Sequence, residues 1–229
     1  MKQPDSVKRA ILQDRTQAGK LLADRLYCYA RQSDVIVCAL PRGGVPVAAE
    51  IAAALQNPLT IFIVRRLGVP GYVDLGIGSV TSSRTSIVDQ SVTEALGIPI
   101  SAIEAMAQQE MRDIERRERL YLRGRPAPDF KDKAVILVAD GMTTGSTMLL
   151  AVEAIKQLGA RRITVAVPVA SRDAIDKVQT VADDIVCLWQ PETLNSVGEW
   201  YDDFTELDDE QVCKILDRAF EYIPQSRTA

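Results

Sequence analysis

The sequence predicts an α/β fold, a doubly wound and mostly parallel sheet with helices on both faces, from three observations. Short apolar runs rich in β-branched residues recur at 35–40, 59–64, 135–138, 162–167 and 185–188, each about the length of a buried strand. Helix-like segments separate most of them, which is the rhythm of parallel strands joined by right-handed crossovers. Two of the runs end in turns built from Gly, Pro, Ser and Thr, at 41–44 and 141–147, where open α/β sheets bind ligands. With 229 residues, 47% hydrophobic and 25% charged, the chain can bury one sizeable core and carry an appendage.

The elements follow in order. Residues 7–30 are expected to be helical: Ala18, Leu21, Leu22, Leu26 and Tyr29 share a face, and Asp14 with Gln17 three residues on resembles a capping box. The run 35–40 is broken by Pro41-Arg42-Gly43-Gly44, and Ala-rich 45–55 makes the next helix. Asn57-Pro58 introduces the run 59–64, with Arg65-Arg66 expected just beyond its carboxyl end. Residues 67–78, which include Gly68, Pro70, Gly71, Gly76 and Gly78, are expected to form a loop. Strand-like pieces at 79–80 and 85–88 follow, around the polar turn Ser82-Ser83-Arg84. Residues 100–122 form a long amphipathic helix with Ile103, Ala107, Met111 and Ile114 on one face. Asp113/Arg117 and Glu115/Arg119 stand as i,i+4 pairs on a solvated one. Gly124, Pro126 and Pro128 mark a connector. A helix over 148–158, a strand over 162–167 ended by Pro168, a short helix over 171–178 and the strand 185–188 complete the core. The tail gathers the aromatic residues Trp189, Trp200, Tyr201 and Phe204 with the acids Glu199, Asp202, Asp203 and Glu206. It closes with a helix over 208–222.

Composition narrows the chemistry. There is no histidine, which excludes Ser-His-Asp and Cys-His catalysis and HExxH metal sites. Cys28, Cys38, Cys187 and Cys213 form no C-x-x-C pair, and Cys38 and Cys187 sit in apolar strands where buried free thiols are expected. A net charge of −4 and a pI near 5.1 supply no field for nucleic acid or an anionic membrane. No signal-peptide pattern and no run of membrane-spanning length appears, so a cytoplasmic location is expected.

The stretch 135–147 carries the chemistry. A buried apolar strand ends in Asp140, a loop of Gly, Thr and Ser follows, and a helix begins at its end. Strand, small-hydroxyl loop and helix N-terminus together make an anion site, because amides, hydroxyls and the helix dipole all favour negative charge. It is not a Walker A loop, since Ser146-Thr147 and not Lys-Ser/Thr follow Gly145. Gly76-x-Gly78 lacks the third Gly of a dinucleotide fingerprint and opens no helix. At 41–44 two glycines allow backbone amides to approach a ligand, and Arg42 adds a fork suited to phosphate oxygens.

The loop, from its four hydrophobic residues and strand-end acid to Thr144-Gly145-Ser146-Thr147, resembles the 13-residue phosphoribosyl-pyrophosphate (PRPP) motif of the type I phosphoribosyltransferases. Asp14-Arg15-x-x-Ala18-Gly19, Leu40-Pro41-Arg42-Gly43-Gly44-Val45, Arg65-Arg66-Leu67-Gly68-x-Pro70-Gly71 and Val197-Gly198-x-Trp200-Tyr201-x-Asp203-Phe204 extend the resemblance to a bacterial subgroup of that family over nearly the whole chain. It implies one phosphoribosyltransferase-like domain over 1–229. Within it, 1–33 is an N-terminal helical segment, 34–188 a core with a lid insertion at about 67–122, and 189–229 a hood with a C-terminal helix. The 5′-phosphate of PRPP would lie on Thr143, Thr144, Gly145, Ser146 and Thr147. Its pyrophosphate would meet Pro41, Arg42, Gly43 and Gly44, with Arg65 and Arg66 as further basic candidates. Asp140 would hold the ribose hydroxyls, Mg²⁺ would be bound mainly by substrate oxygens and water, and Trp189 and Tyr201 are hood candidates for the acceptor, with hydrophobic packing the plainer role for them. The partners implied are PRPP and a small nitrogen acceptor, a nucleobase being one candidate, with a homodimer as the expected assembly.

Two positions depart from the family pattern. The strand end normally carries two acids, and here Ala139 precedes Asp140. Losing one charge-assisted hydrogen bond costs roughly 1.5–3 kcal/mol, about 10- to 150-fold. This opens an alternative, a non-catalytic PRPP- or nucleotide-binding regulator. Thr143 stands where 6-oxopurine enzymes carry an Asp, which argues against hypoxanthine or guanine as acceptor. A phosphatase or phosphorylase using the same loop finds no nucleophile or histidine to support it.

Overall fold

The computed structural model describes residues 12–69, 72–83, 86–88 and 90–222. Residues 7–11 of the expected first helix, Pro70, Gly71, Arg84 and Thr85 lie outside them. A five-stranded parallel sheet forms the centre, from β1 (Val35–Ala39), β2 (Leu59–Ile61), β6 (Ala134–Val138), β7 (Arg162–Val169) and β8 (Asp184–Trp189), in the order β2-β1-β6-β7-β8. Their alternating side chains feed two cores. Val35, Val37, Ala39, Ile136 and Val138 pack toward helices α1 (Arg15–Arg25), α2 (Gly44–Leu55) and α7 (Asp209–Tyr222). Cys38, Val135, Leu137, Val165 and Val167 pack toward α5 (Ser146–Gln157) and α6 (Arg172–Gln179) on the other face. A strand buried on both faces needs apolar residues at every position, which is why these runs are continuous and not alternating.

A second, three-stranded antiparallel sheet interrupts the sequence between β2 and β6, in the order β3 (Val64–Val69), β4 (Tyr72–Thr81), β5 (Ser86–Val88). It is followed by the short α3 (Gln90–Ala95) and the long α4 (Ile100–Leu122). Among the described residues no helix is long and apolar enough to cross a membrane.

Several elements differ from expectation for identifiable reasons. The first helix starts only at Arg15, capped by Asp14, whose carboxylate accepts from Gln17 N at 2.7 Å. Leu12 is instead extended and pairs with Tyr201, so the chain just before α1 is bound to the tail. The described residues of 67–78 belong to strands β3 and β4 and not to a loop. Pairing satisfies their backbone, and register shifts around Gly68 absorb the irregularity that glycines permit. Strand β7 runs through Pro168 to Val169. Pairing with β6 ends at Ala166, so the missing N–H of Pro168 lies beyond that ladder and only β8 flanks it.

The charged face of α4 is partly structural. Besides the Arg117–Asp113 pair at 3.0 Å, Arg65 of β3 reaches Glu110 at 2.8 Å, so the helix anchors the second sheet. Tyr121, fully buried, donates its hydroxyl to Asp209 Oδ1 at 2.5 Å and joins α4 to α7.

Candidate active site

β1 and β6 are neighbours, yet the chain leaves them toward opposite edges of the sheet, β1 toward β2 and β6 toward β7. This switch point leaves a crevice at the carboxyl ends of the two strands. The crevice holds a cavity of about 280 Å³, lined by Leu40, Pro41, Arg42 and Gly43 from the first loop and by residues 139–148 from the second. Loops about 100 residues apart in sequence therefore share one cavity.

The second loop is shaped by its anchors. Met142 N donates to Val169 O and Ser171 N to Met142 O, both at 3.0 Å, so the loop continues the parallel pairing with the chain after β7 for one more step. Ser171 Oγ donates to Thr143 O at 2.5 Å and accepts from Ala174 N at 3.1 Å, capping α6 and fastening it to the loop. Gly145 then takes φ +68°, a left-handed conformation costly for other residues, and an added Cβ would come within 3.0 Å of Ala174 O. That turn starts α5. Leu149 N is bonded to Gly145 O at 2.8 Å, so the amides of Ser146, Thr147 and Met148 precede the helical ladder and face the cavity end of the dipole. Thr143, Thr144 and Thr147 are exposed, and Thr144 Oγ1 accepts a long bond from Ser146 N at 3.5 Å, which leaves its own proton to donate.

The first loop is pressed against the second. Gly44 opens α2 behind the cavity, where a Cβ would lie 2.6 Å from Val138 O. Gly43 sits under the Asp140 carboxylate, and a Cβ there would be 1.9 Å from Oδ2. Arg42 is half-exposed and its guanidinium meets Glu206 at 2.6 Å, so an acid of the tail stands on the cation expected to meet pyrophosphate.

Asp140 is held from several sides. Arg15 Nε donates to its Oδ2 at 2.9 Å, with the two side chains only 11% and 21% exposed. Arg15 in turn lies 3.8 Å from the centre of the Phe204 ring and donates to Thr205 O at 3.0 Å. Tyr201 donates its hydroxyl to Asp140 O at 2.7 Å, and burial pushes that phenol well above its ordinary range, keeping it a donor. The Tyr201 and Phe204 rings pack 4.9 Å apart. The start of α1, the strand end and the tail thus meet on one carboxylate. In the sequence Arg15 stands out only as part of a motif. No periodicity links it to a partner 125 residues away, so its role was not legible there.

The remaining candidates lie elsewhere. Arg65 and Arg66 are within β3, not beyond a parallel strand. Arg65 pairs with Glu110, Arg66 is exposed, and neither lines the cavity. Trp189 ends β8, half-buried, and packs on the core with Trp200 and Phe204; neither Trp189 nor Tyr201 lines the cavity. Cys38 is buried and Cys187 half-buried, and burial raises both thiols, Cys187 to about 11, so neither is a ready nucleophile. Among the described residues no three acid or Cys side chains cluster to hold a metal. Asp140 is one carboxylate at the cavity, which fits Mg²⁺ bound mainly by phosphate oxygens and water and does not fit an all-protein cage.

The model of the phosphoribosyl transferase domain matches residues 10–198. Curated proteins from two strains of Mycobacterium tuberculosis, whose names carry the words phosphoribosyl transferase, are each 34% identical over 209 residues, 91% of this chain. The chain spans about half the length of these curated relatives, 47%. Among solved structures, TT1426 from Thermus thermophilus is 36% identical with a TM-score of 0.77, covering 90% of this chain and 97% of that one.

Proposed function

Because the chain belongs to the phosphoribosyl transferase domain family, we propose that it transfers the 5-phosphoribosyl group of PRPP to a nitrogen acceptor and releases pyrophosphate. The observation that carries this is the single cavity shared by the two loops, with an anion cradle on one wall and Arg42 on the other. Two phosphate-binding surfaces facing one cavity suit a ligand with a phosphate at each end.

In this reading the amides and hydroxyls of residues 143–147 bind the 5′-phosphate, and Arg42 with the 41–43 backbone receives the pyrophosphate. Asp140 faces the ribose hydroxyls. As the C1′–O bond breaks, positive charge grows on the ribose and negative charge on the leaving group. Preorganised groups lower that barrier most when they match those changes, so Arg42 and Asp140 stand on the appropriate sides. Mg²⁺, when bound, would neutralise part of the pyrophosphate charge through substrate oxygens. Arg42 must exchange Glu206 for the ligand. The insertion at about 67–122 is the candidate lid that would exclude water from the ribosyl cation. Trp189 and Tyr201 support the hood by packing and by the bond to Asp140 O, and are not assigned contact with the acceptor.

A second reading is favoured by one observation. With Ala139 in place of an acid, the remaining carboxylate is already paired with Arg15, which suits a protein that binds PRPP or a nucleotide without turning it over.

Calorimetry with PRPP, with and without Mg²⁺, tests both. Saturable Mg²⁺-dependent binding is expected, weakened by Asp140→Asn and by Thr144→Ala. No binding at millimolar PRPP would defeat both readings.

A further inference from the structure

Residues 139–147 include no Lys or Arg, so the cradle's own positive potential comes from amides, hydroxyls and the helix dipole alone. A cation nevertheless stands beside it, reaching the lining residue Ser146 from just outside the cavity wall. Lys177 of α6 directs Nζ to Ser146 Oγ at 3.0 Å, across 31 residues of sequence.

Its placement is built into the packing of α6 on the loop. Ala174 O and Val178 Cγ2 lie against Gly145, at 3.0 and 3.1 Å from the position a Cβ would take. Lys177 is three residues after Ala174 and next to Val178, and thus on the helix face turned to the loop. Ser171 fixes the start of the same helix through its bonds to Thr143 O and Ala174 N. An ammonium can only donate, so Ser146 Oγ accepts from Lys177 and its own proton is free to point elsewhere, toward a ligand on the α5 amides.

We propose that Lys177 is a binding residue of the phosphate cradle, recognising the phosphomonoester end of a ligand by adding a positive charge and orienting the Ser146 hydroxyl as a donor. This rests on the reading of the cavity as a phosphoribosyl site and extends it. The loop's neutral donors bind any tetrahedral anion, whereas the lysine favours a phosphate that carries close to two charges at neutral pH. Arg42 serves the opposite wall, so the two cations divide the two ends of the ligand.

The test measures binding of ribose 5-phosphate and of inorganic pyrophosphate to the full chain by calorimetry, for the native protein, Lys177→Met and Lys177→Arg. Lys177→Met is expected to weaken ribose 5-phosphate roughly tenfold and to leave pyrophosphate within about twofold, while Lys177→Arg recovers most of the loss. Thermal melting of each variant checks the fold, and Lys177→Gln replaces the Met variant if that one fails to fold. Unchanged ribose 5-phosphate binding in a folded variant lacking the amine would overturn the role of Lys177 while leaving the reading of the cavity intact. Equal weakening of both ligands would also overturn it, since the effect would not be local to the phosphomonoester end. A native protein that binds neither ribose 5-phosphate nor PRPP would instead remove the phosphoribosyl reading, and this inference with it.

Discussion

Replacing Gly43 by Ala should destabilise the protein, although the backbone there would ordinarily favour the change. Gly43 has φ −62° and ψ −32°, a conformation any residue adopts. Removing a glycine's freedom in the unfolded chain would then stabilise by about 0.4–1 kcal/mol. The added methyl, however, would stand 1.9 Å from Asp140 Oδ2 and 2.4 Å from Cγ. The carboxylate must swing away, and doing so breaks its 2.9 Å bond to Arg15, a pair mostly shielded from water. A charge-assisted bond of that kind is worth about 1.5–3 kcal/mol. The loss outweighs the gain, leaving a net cost of about 1–2 kcal/mol, or a melting temperature lower by roughly 2–8 °C for a chain of this size. The decisive assay is a double-mutant cycle by chemical denaturation. In an Asp140→Ala background the obstacle is gone, and Gly43→Ala should be neutral or stabilising by up to about 1 kcal/mol. If Gly43→Ala costs the same in both backgrounds, or nothing in the native one, the contact between Gly43 and Asp140 does not carry the energy assigned to it.

Further outcomes follow from the same geometry. Glu206→Gln should tighten pyrophosphate binding by up to about fivefold in titration calorimetry, because an exposed ion pair holds Arg42 by no more than about 1 kcal/mol; weaker binding would make Glu206 a helper and not a competitor. Asp209 is held below the ordinary carboxylate range chiefly by the Tyr121 hydroxyl, with Arg117, Arg116 and Arg42 adding to it. Stability from a depressed carboxyl is complete above its unfolded value near 3.9 and is lost as pH falls through the folded value. Tyr121→Phe should therefore cost about 1 kcal/mol at pH 7, and the gap to the native protein should narrow as pH falls below the unfolded carboxyl value near 3.9 in denaturant titrations; a gap constant with pH would place the loss in packing alone. Ala139→Asp should raise turnover with a suitable acceptor by roughly tenfold or more if the protein is an enzyme short of one ribose contact. Tight PRPP binding with no gain in turnover would favour the regulator.

The parts of the site legible in the sequence were those whose chemistry is local. The four apolar residues before Ala139, the hydroxyl loop 143–147 and the helix that starts at Ser146 specify a strand end, a polar turn of small residues and a helix dipole without reference to anything distant. The Pro41-Arg42-Gly43-Gly44 turn was legible for the same reason. The 67–78 stretch misled because glycines signal loops only when no neighbour pairs with them, and here β3 and β4 supply each other's partners. Arg65 misled because a basic pair after an apolar run looks the same whether it faces a ligand or, as here, Glu110 on a helix 45 residues away.

The order of strands and helices along the chain, the burial of the central runs and the small-residue turns at 41–44 and 141–147 were set by residue type and period, since those are short-range properties of a chain that must bury apolar surface and satisfy its backbone. Only the tertiary structure decided that the loops share one cavity, that Arg15, Tyr201 and Glu206 converge on Asp140 and Arg42, and that Lys177 stands at Ser146. Such contacts join residues 31 to 164 positions apart, and a side chain's partner across that distance is chosen by how the elements pack, which no local pattern encodes.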